Sequence, residues 1–360
     1  MLGIVRSWFD RLFAEEETVV LLLLIVAVLV MMLSLGNVLV PIVASIVLAF
    51  MMQGIIARLS RVGAPQWLAV AVAYTVFVSV FFGVLVVLLP LVWQQLINLF
   101  QELPTMLRKL QHVLLVLPER SELFTEQQIR EWMAIATKEL GSVGQYLLSF
   151  SIAQLPNLLG LMINIVLIPI LVFFFLKDKA TILSWLASFL PNHRPLLSAV
   201  WSEMNVQVAN YVRGKAVEIV IVGVVSYICF EVIGLNYPAL LALLVGLSVV
   251  IPYIGAAVVT LPVLLVGYIQ WGWGGEFFTL FMVYSVIQGL DGNVLVPLLF
   301  SEAVNMHPVA IIVAVLVFGG LWGIWGVFFA IPLATLVKAI IYAWPRPVRQ
   351  PSAAKAPVAD

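Results

Sequence analysis

The strip LDGNVLVPLLF at 290–300 sets an acid, a glycine, an amide and a proline in a stretch that is otherwise apolar. No charge occurs over 277–289, and between Asp291 and Lys338 the only charged residue is Glu302. Asp291, with Gln288, Gly292 and Asn293 beside it, has the chemistry to hold a proton, a cation or the hydroxyls of a small polar solute, and an ionisable group at membrane depth is costly enough to suggest a function. The same Asp-Gly-Asn composition also suits a solvated turn at the end of a helix. Both readings of Asp291 stay open at this level.

Two broken hydrophobic runs accompany it. Over 238–270, Pro252, Gly255 and Pro262 interrupt a run too long for one straight span. Proline removes a backbone donor and clashes with the preceding turn, so a kink or a reversal is expected. Carbonyls freed in this way survive in a bilayer only where protein or water satisfies them, and broken helices are how secondary transporters present helix ends to substrates and ions. Over 308–344, Gly319, Gly320, Gly323 and Gly326 precede Pro332. Their spacing puts Gly319, Gly323 and Gly326 near one helical face, where they permit close packing. Pro297 and Pro332 join them as hinge or packing points. This second run reads as a re-entrant hairpin or a long broken helix.

Other polar residues have plainer readings. Glu218 lies three residues after Lys215 and is expected to pair with it at the cytoplasmic face; Glu231 reaches the outer headgroups; Lys338 snorkels. Glu302 and His307 belong to a loop. There is no HExxH, GxSxG or GxxxxGK[ST], which leaves zinc hydrolysis, serine acyl transfer and ATP-driven pumping without support. Cys229 is the single cysteine, so an intrachain disulfide or cysteine metal cluster is excluded. The reading is a non-enzyme with no cofactor and no metal.

The elements that must position these residues are membrane helices. Hydrophobic residues make up 63% and charged residues 10% of the chain, against roughly 25% charged in a soluble domain. Net charge is zero with no long basic run, which leaves nucleic acid as a partner without an electrostatic footprint. The fold class is all-α and polytopic, with about eight hydrophobic segments: 18–35, 38–57, 67–93, 155–176, 216–233, 238–270, 277–289 with its continuation, and 308–344. A short uncharged turn is expected at 34–37. The first run has no small-x-small cleavage site after it and reads as a retained span.

Arg58, Arg61, Lys177, Lys179, Arg194, Arg213, Lys215, Lys338, Arg346 and Arg349 place the intervening loops and both termini in the cytoplasm. Amphipathic helices are expected outside the membrane over 94–154, where Leu96, Phe100, Leu103, Leu107, Leu110 and Leu114 recur at helical spacing, and inside over 180–212. The resulting division is 1–93 with three spans, 94–154 periplasmic, 155–176 a fourth span, 177–215 cytoplasmic, 216–344 a transport core with broken or re-entrant helices, and 345–360 a disordered tail.

Taken in order, LKDK at 176–179, NYVRGK at 210–215, IPYIG at 251–255, DGNVLVPLLF at 291–300, MHP at 306–308 and GIWGVFFAIPLATLVK at 323–338 resemble the autoinducer-2 exporter family of bacterial membrane transporters, most closely its PerM-type permeases. The resemblance implies a bacterial inner-membrane secondary transporter with re-entrant hairpins in its C-terminal half. It also implies a homo-oligomer, a pentamer, and export of autoinducer-2 or, in other members, sodium/proton antiport. Where the family pattern has a glycine-bearing turn after the proline, this chain has Phe300 and SEAVN. The functional expectation is therefore export of a small polar solute, autoinducer-2-like, by a pathway of Asp291, Asn293, Gln288, Pro252 and Gly255. A sodium/proton antiporter using Asp291 is the alternative, and a non-transporting membrane scaffold for envelope proteins the second alternative. Membrane lipid, the solute or a monovalent cation or proton, and further copies of the chain are the partners expected.

Overall fold

The computed structural model of the chain describes residues 16–114, 127–128, 131, 134–135, 155–192, 194–300 and 306–343. Most of the outer amphipathic stretch, the N-terminal 1–15, Glu302 and the tail lie outside these residues. Every regular element among the described residues is helical.

The first helix, α1 (Glu16–Arg61), is one continuous rod of 46 residues. At 1.5 Å per residue this is about 69 Å, roughly twice the hydrocarbon thickness. The turn expected at 34–37 is therefore absent, and the runs 18–35 and 38–57 are parts of one helix. None of those four residues removes a backbone donor, and the Ser34 hydroxyl is satisfied inside the helix by donating to the Val30 carbonyl at 2.7 Å. The proline that follows, Pro41, is absorbed in the helix interior, with the buried Ser45 hydroxyl donating to its carbonyl at 2.6 Å. Helix α2 (Gln66–Gly83) passes through a π-helical turn (Val84–Leu88) into α3 (Leu89–Leu114), so the third span and the start of the outer amphipathic segment form one run. After α4 (Leu155–Lys177), the LKDK motif leads at once into α5 (Lys179–Ala187). Ala49, Val70, Phe77, Val172 and Leu176 close a core between α1, α2 and α4.

Helix α6 (Pro195–Ile233) starts with proline at its first position, as a free helix N-terminus allows, and ends at Gly234 in the left-handed region (φ 76°). The amphipathic stretch to 212 and the span from 216 are thus one helix, and Lys215 lies in its middle. Of the interruptions expected in 238–270, the one at Pro252 and Gly255 is present, where α7 (Pro238–Ser248) and α8 (Ile254–Trp271) form a hairpin, whereas Pro262 is carried inside α8 without a break. Eleven residues give α7 about 16 Å, too short to cross a bilayer. Its mouth is tied by Gln270, whose Nε2 donates to the Gly234 carbonyl at 2.8 Å while its Oε1 accepts from the Asn236 amide at 2.8 Å. Gln95 of α3 adds an acceptor for the Leu240 amide at 2.9 Å, satisfying one of the free donors in the first turn of α7.

Helix α9 (Gly275–Leu290) runs back beside α6, continues through a π-helical turn (Asp291–Leu295) and ends in α10 (Val296–Phe300). Last come α11 (Pro308–Phe328), capped by the His307 ring accepting from the Val309 amide, and α12 (Ala330–Ala343). Helix α11 is broken at Gly323, with φ 60° and ψ −139°, a conformation open mainly to glycine. A side chain on Gly326 would overlap the Phe318 carbonyl, so the chain folds back tightly on itself. Gly319, Gly323 and Gly326 thus shape a reversal and do not line one face of a single helix. Of the two expectations for 308–344, the hairpin is the one realised.

Seven of the described helical stretches are long and apolar enough to cross a membrane, with α7 as a shorter apolar helix. Val86, Leu161, Met162, Val220, Leu261 and Leu298 are among the many large apolar side chains left exposed on the single chain, a surface suited to an apolar surrounding rather than to water. This is a multi-pass all-α membrane protein.

Candidate functional site

The tip of the α7–α8 hairpin explains why IPYIG has the composition it has. Helix α7 ends at Ser248, and the Ile254 amide donates to the Pro252 carbonyl at 2.7 Å. That bond closes a three-residue turn with Tyr253 at φ 63° and ψ −50°. This is the strained sense of the γ-turn, a conformation seldom adopted by a residue with a bulky side chain. Gly255 follows, and a side chain there would overlap the Ser248 carbonyl, so only glycine lets the two arms meet. The result is a helix end, with carbonyls lacking intrahelical partners, held against the middle of α6.

Lys215 meets that end. Its Nζ donates to the Val249 carbonyl at 2.8 Å, lies 2.7 Å from Glu218 Oε2 and stands 5.1 Å from the centre of the Phe300 ring. At 2.7 Å the ammonium and the Glu218 carboxylate form a close ion pair. Tyr211, Lys215 and Glu218 recur at intervals of four and three along α6, which puts them on one face. Phe300 reaches Lys215 because Gly214 leaves room for its ring. Side-chain exposure is 5% for Lys215 and 2% for Glu218, so the pair expected at a solvated edge is buried.

Asp291 faces the same place. It is 9% exposed and its Oδ1 has no hydrogen-bond partner. The Asp-Gly-Asn sequence does not form a turn; it lies in the π-helical segment that joins α9 to α10 without a gap. Such segments add a residue to the helical turn and recur at functional sites. A cavity of about 390 Å³ is lined by Asp291, Gln288, Gly292, Val296 and Phe300 from this helix, by Tyr211, Lys215 and Glu218 from α6, and by 249, 251–253 and Ala256 from the hairpin. Ile311 and Ile331 of the second hairpin complete its wall. Gln288 Nε2 donates to the Tyr284 hydroxyl at 3.2 Å. Thr260 spends its proton on the Ala256 carbonyl at 2.7 Å, so the Tyr284 hydroxyl donates to Thr260 Oγ1 at 3.0 Å. That chain fixes the side chain of Gln288 between α8 and α9.

The profile of the AI-2E family transporters matches residues 19–346. "Putative permease PerM" of Escherichia coli (strain K12) is 45% identical over 346 residues, 96% of this chain and 98% of that protein. Two Bacillus subtilis (strain 168) proteins, "Putative transport protein YueF" and "Putative transport protein YrrI", are each 26% identical, over 291 and 313 residues. They cover 79% and 85% of this chain and 78% and 86% of their own length. The chain belongs to the AI-2E transporter family. As an AI-2E transporter it is a membrane transport protein, and the resemblance read from its motifs holds over nearly its whole length.

Of the residues picked out from the sequence, the structure of this AI-2E transporter brings Asp291, Gln288 and Pro252 to the cavity. Gly255 stands behind the tip, shaping it. Asn293 does not line the cavity: it is exposed, with its Nδ2 donating to the Gly289 carbonyl at 2.8 Å. Pro297 is exposed on α10; Pro332 is buried beside Ile331. Sequence reasoning missed Lys215 and Glu218 as site residues. The signal was present in the RGKAVE segment, where a lysine and a glutamate three apart open a long apolar run.

Proposed function

We propose that this protein is a secondary transporter of the bacterial inner membrane that exports a small polar solute through the cavity between α6, the α7–α8 tip and Asp291. The observation that carries this reading is the buried carboxylate of Asp291 in the wall of a cavity bordered by a broken helix end. Groups at such a break bind and release a solute without the cost of unfolding a helix at each cycle. Export, with an autoinducer-2-like polyol as one solute, follows the family likeness. Both termini cytoplasmic, the division into an N-terminal bundle and a C-terminal transport core, and assembly into a homo-oligomer belong to the same reading.

Flux in proteoliposomes tests it. The purified protein is expected to release a trapped polar solute faster than empty vesicles, with Asp291→Asn slowing release at least about tenfold, the rate equivalent of about 1.4 kcal/mol. Full flux in that variant overturns the placement of the pathway. A second reading, cation/proton antiport, is favoured by the two carboxylates of Glu218 and Asp291 facing one lysine. It predicts a sodium-driven pH change in the vesicle lumen that Asp291→Asn abolishes.

A further inference from the structure

We propose that the cavity takes a small organic cation, a protonated or quaternary amine, and this rests on the reading of the cavity as the transport site. Among the described residues lining it, the formal charges are Lys215, Glu218 and Asp291, one positive and two negative. Counted as ionised, the lining carries one negative charge in excess. Glu218 is 1% and Asp291 9% exposed; Lys215 lies 2.7 Å from Glu218, which leaves the Asp291 carboxylate in the cavity wall as the acid without a close cation among the described ion pairs. Burying an uncompensated carboxylate is expensive, and a proton or a bound cation offsets the cost.

Size and lining select the kind of cation. About 390 Å³ is far more than a bare sodium ion or a proton fills, and falls in the range of small-molecule sites. Most of the wall is apolar or aromatic: Tyr211, Tyr253, Phe300, Ile251, Val296 and Ile311. Aromatic faces and carboxylates together are the chemistry that recognises alkylammonium groups. The protein already displays the arrangement, because the Lys215 ammonium sits against a carboxylate, a helix-end carbonyl and the Phe300 ring at once. A substrate amine would repeat with Asp291 what Lys215 makes with Glu218. A neutral sugar-like solute gains nothing from the charge deficit, and an anion is repelled by it.

Binding and flux of choline, ethylammonium and benzylammonium, measured on the full-length protein in detergent and in proteoliposomes, test this against 3,3-dimethyl-1-butanol, the neutral isostere of choline, and against sodium. At least one organic cation is expected to bind about tenfold or more tightly than the neutral isostere. Asp291→Asn should remove that preference, and Asp291→Glu, which keeps the charge, should restore most of it. Tryptophan fluorescence and size-exclusion profiles verify that each variant is folded; if Asp291→Asn does not fold, the contrast between choline and its isostere in the wild type decides alone. Equal binding of choline and the isostere, or no binding of any of the three cations, overturns the inference. If sodium or a neutral solute is moved in an Asp291-dependent way while no organic cation is, the cation inference fails and the transport reading stands. If flux of every solute is indifferent to Asp291, both fail.

Discussion

The α7–α8 hairpin and the hairpin of α11 and α12 are made from the same kinds of residue, glycine, proline and aromatics in an apolar run, yet only the first presents polar groups to the cavity. In the first, Pro252 sits at the tip itself, and the chain turns through Tyr253 so that the Val249 carbonyl meets Lys215. In the second, glycine makes the tip and proline comes nine residues later, at Pro332. Its loss of a backbone donor coincides with the irregular residue Phe329 between α11 and α12. Trp322 stacks on Phe329 and Phe328 meets Phe329 edge-on at 4.8 Å, so this tip is packed by rings. What the second hairpin gives the cavity is Ile311 and Ile331. A break supplies a binding group when a charged side chain waits opposite it, and a wall when only apolar atoms do.

The strongest way to break this contrast is to force each hairpin open. Gly255→Val and Gly326→Val both drive a side chain into a backbone carbonyl, and each is expected to cost at least about 3 kcal/mol, read as a lower melting temperature in detergent. Their effects on flux should differ. Gly255→Val displaces the polar tip and should abolish transport even in protein that remains folded, whereas Gly326→Val loosens a wall and should leave measurable flux. Equal flux defects at matched folding would erase the distinction.

Removing the lysine that faces the first tip comes next. Lys215→Met strands the Glu218 carboxylate in a buried site, and loss of one partner of a buried pair costs about 3 kcal/mol or more. Adding Glu218→Gln should recover much of that stability, because a neutral amide in place of the charge no longer needs a counter-ion. Thermal unfolding of the single and double variants gives the coupling directly. A single variant as stable as the wild type would mean that Lys215 does not hold the tip.

How much of this was readable beforehand depends on the range of the interaction. The break at 249–253 was legible because proline and glycine act on their own backbone. The position of Asp291 was not, since Asp-Gly-Asn has the same composition in a solvated turn and in a π-helical segment; neighbouring helices decide between them. The spacing of Lys215 and Glu218 predicts their ion pair but not its burial, because the arrival of a hairpin tip from 34 residues away leaves no local mark. The turn expected at 34–37 failed for a related reason: polar residues in a helix can bond within it, as Ser34 does. Asn293 stands two positions from Asp291, and two positions along a helix point to different sides, so nearness in sequence does not bring both to the cavity.

A smaller effect is expected at the mouth of the first hairpin. Gln270→Ala removes two hydrogen bonds in an exposed position, for about 1 kcal/mol. Amide exchange at Asn236 should quicken while exchange at the tip stays slow, since the tip is held separately by Lys215. The second hairpin has no such amide clamp among the described residues, so its tip rather than its mouth should govern its opening.

The glycines of the second hairpin allow the finest test, because three neighbours differ in what stands near them. A methyl group on Gly326 meets the Phe318 backbone, one on Gly319 comes within 2.8 Å of Val327 Cγ2, and one on Gly320 meets nothing within 4 Å. Backbone cannot yield, a valine methyl can turn aside, and open space demands nothing. Gly320 is also exposed and lies in the helical part of α11 before the break. Gly320→Ala should therefore stabilise the protein by about 0.5–1 kcal/mol, the entropy that glycine loses in a helix. Gly319→Ala should lie near zero, and Gly326→Ala should be clearly destabilising. If Gly320→Ala instead lowers the melting temperature, something covers that face in the assembled protein, and the second hairpin is then a contact surface as well as a wall.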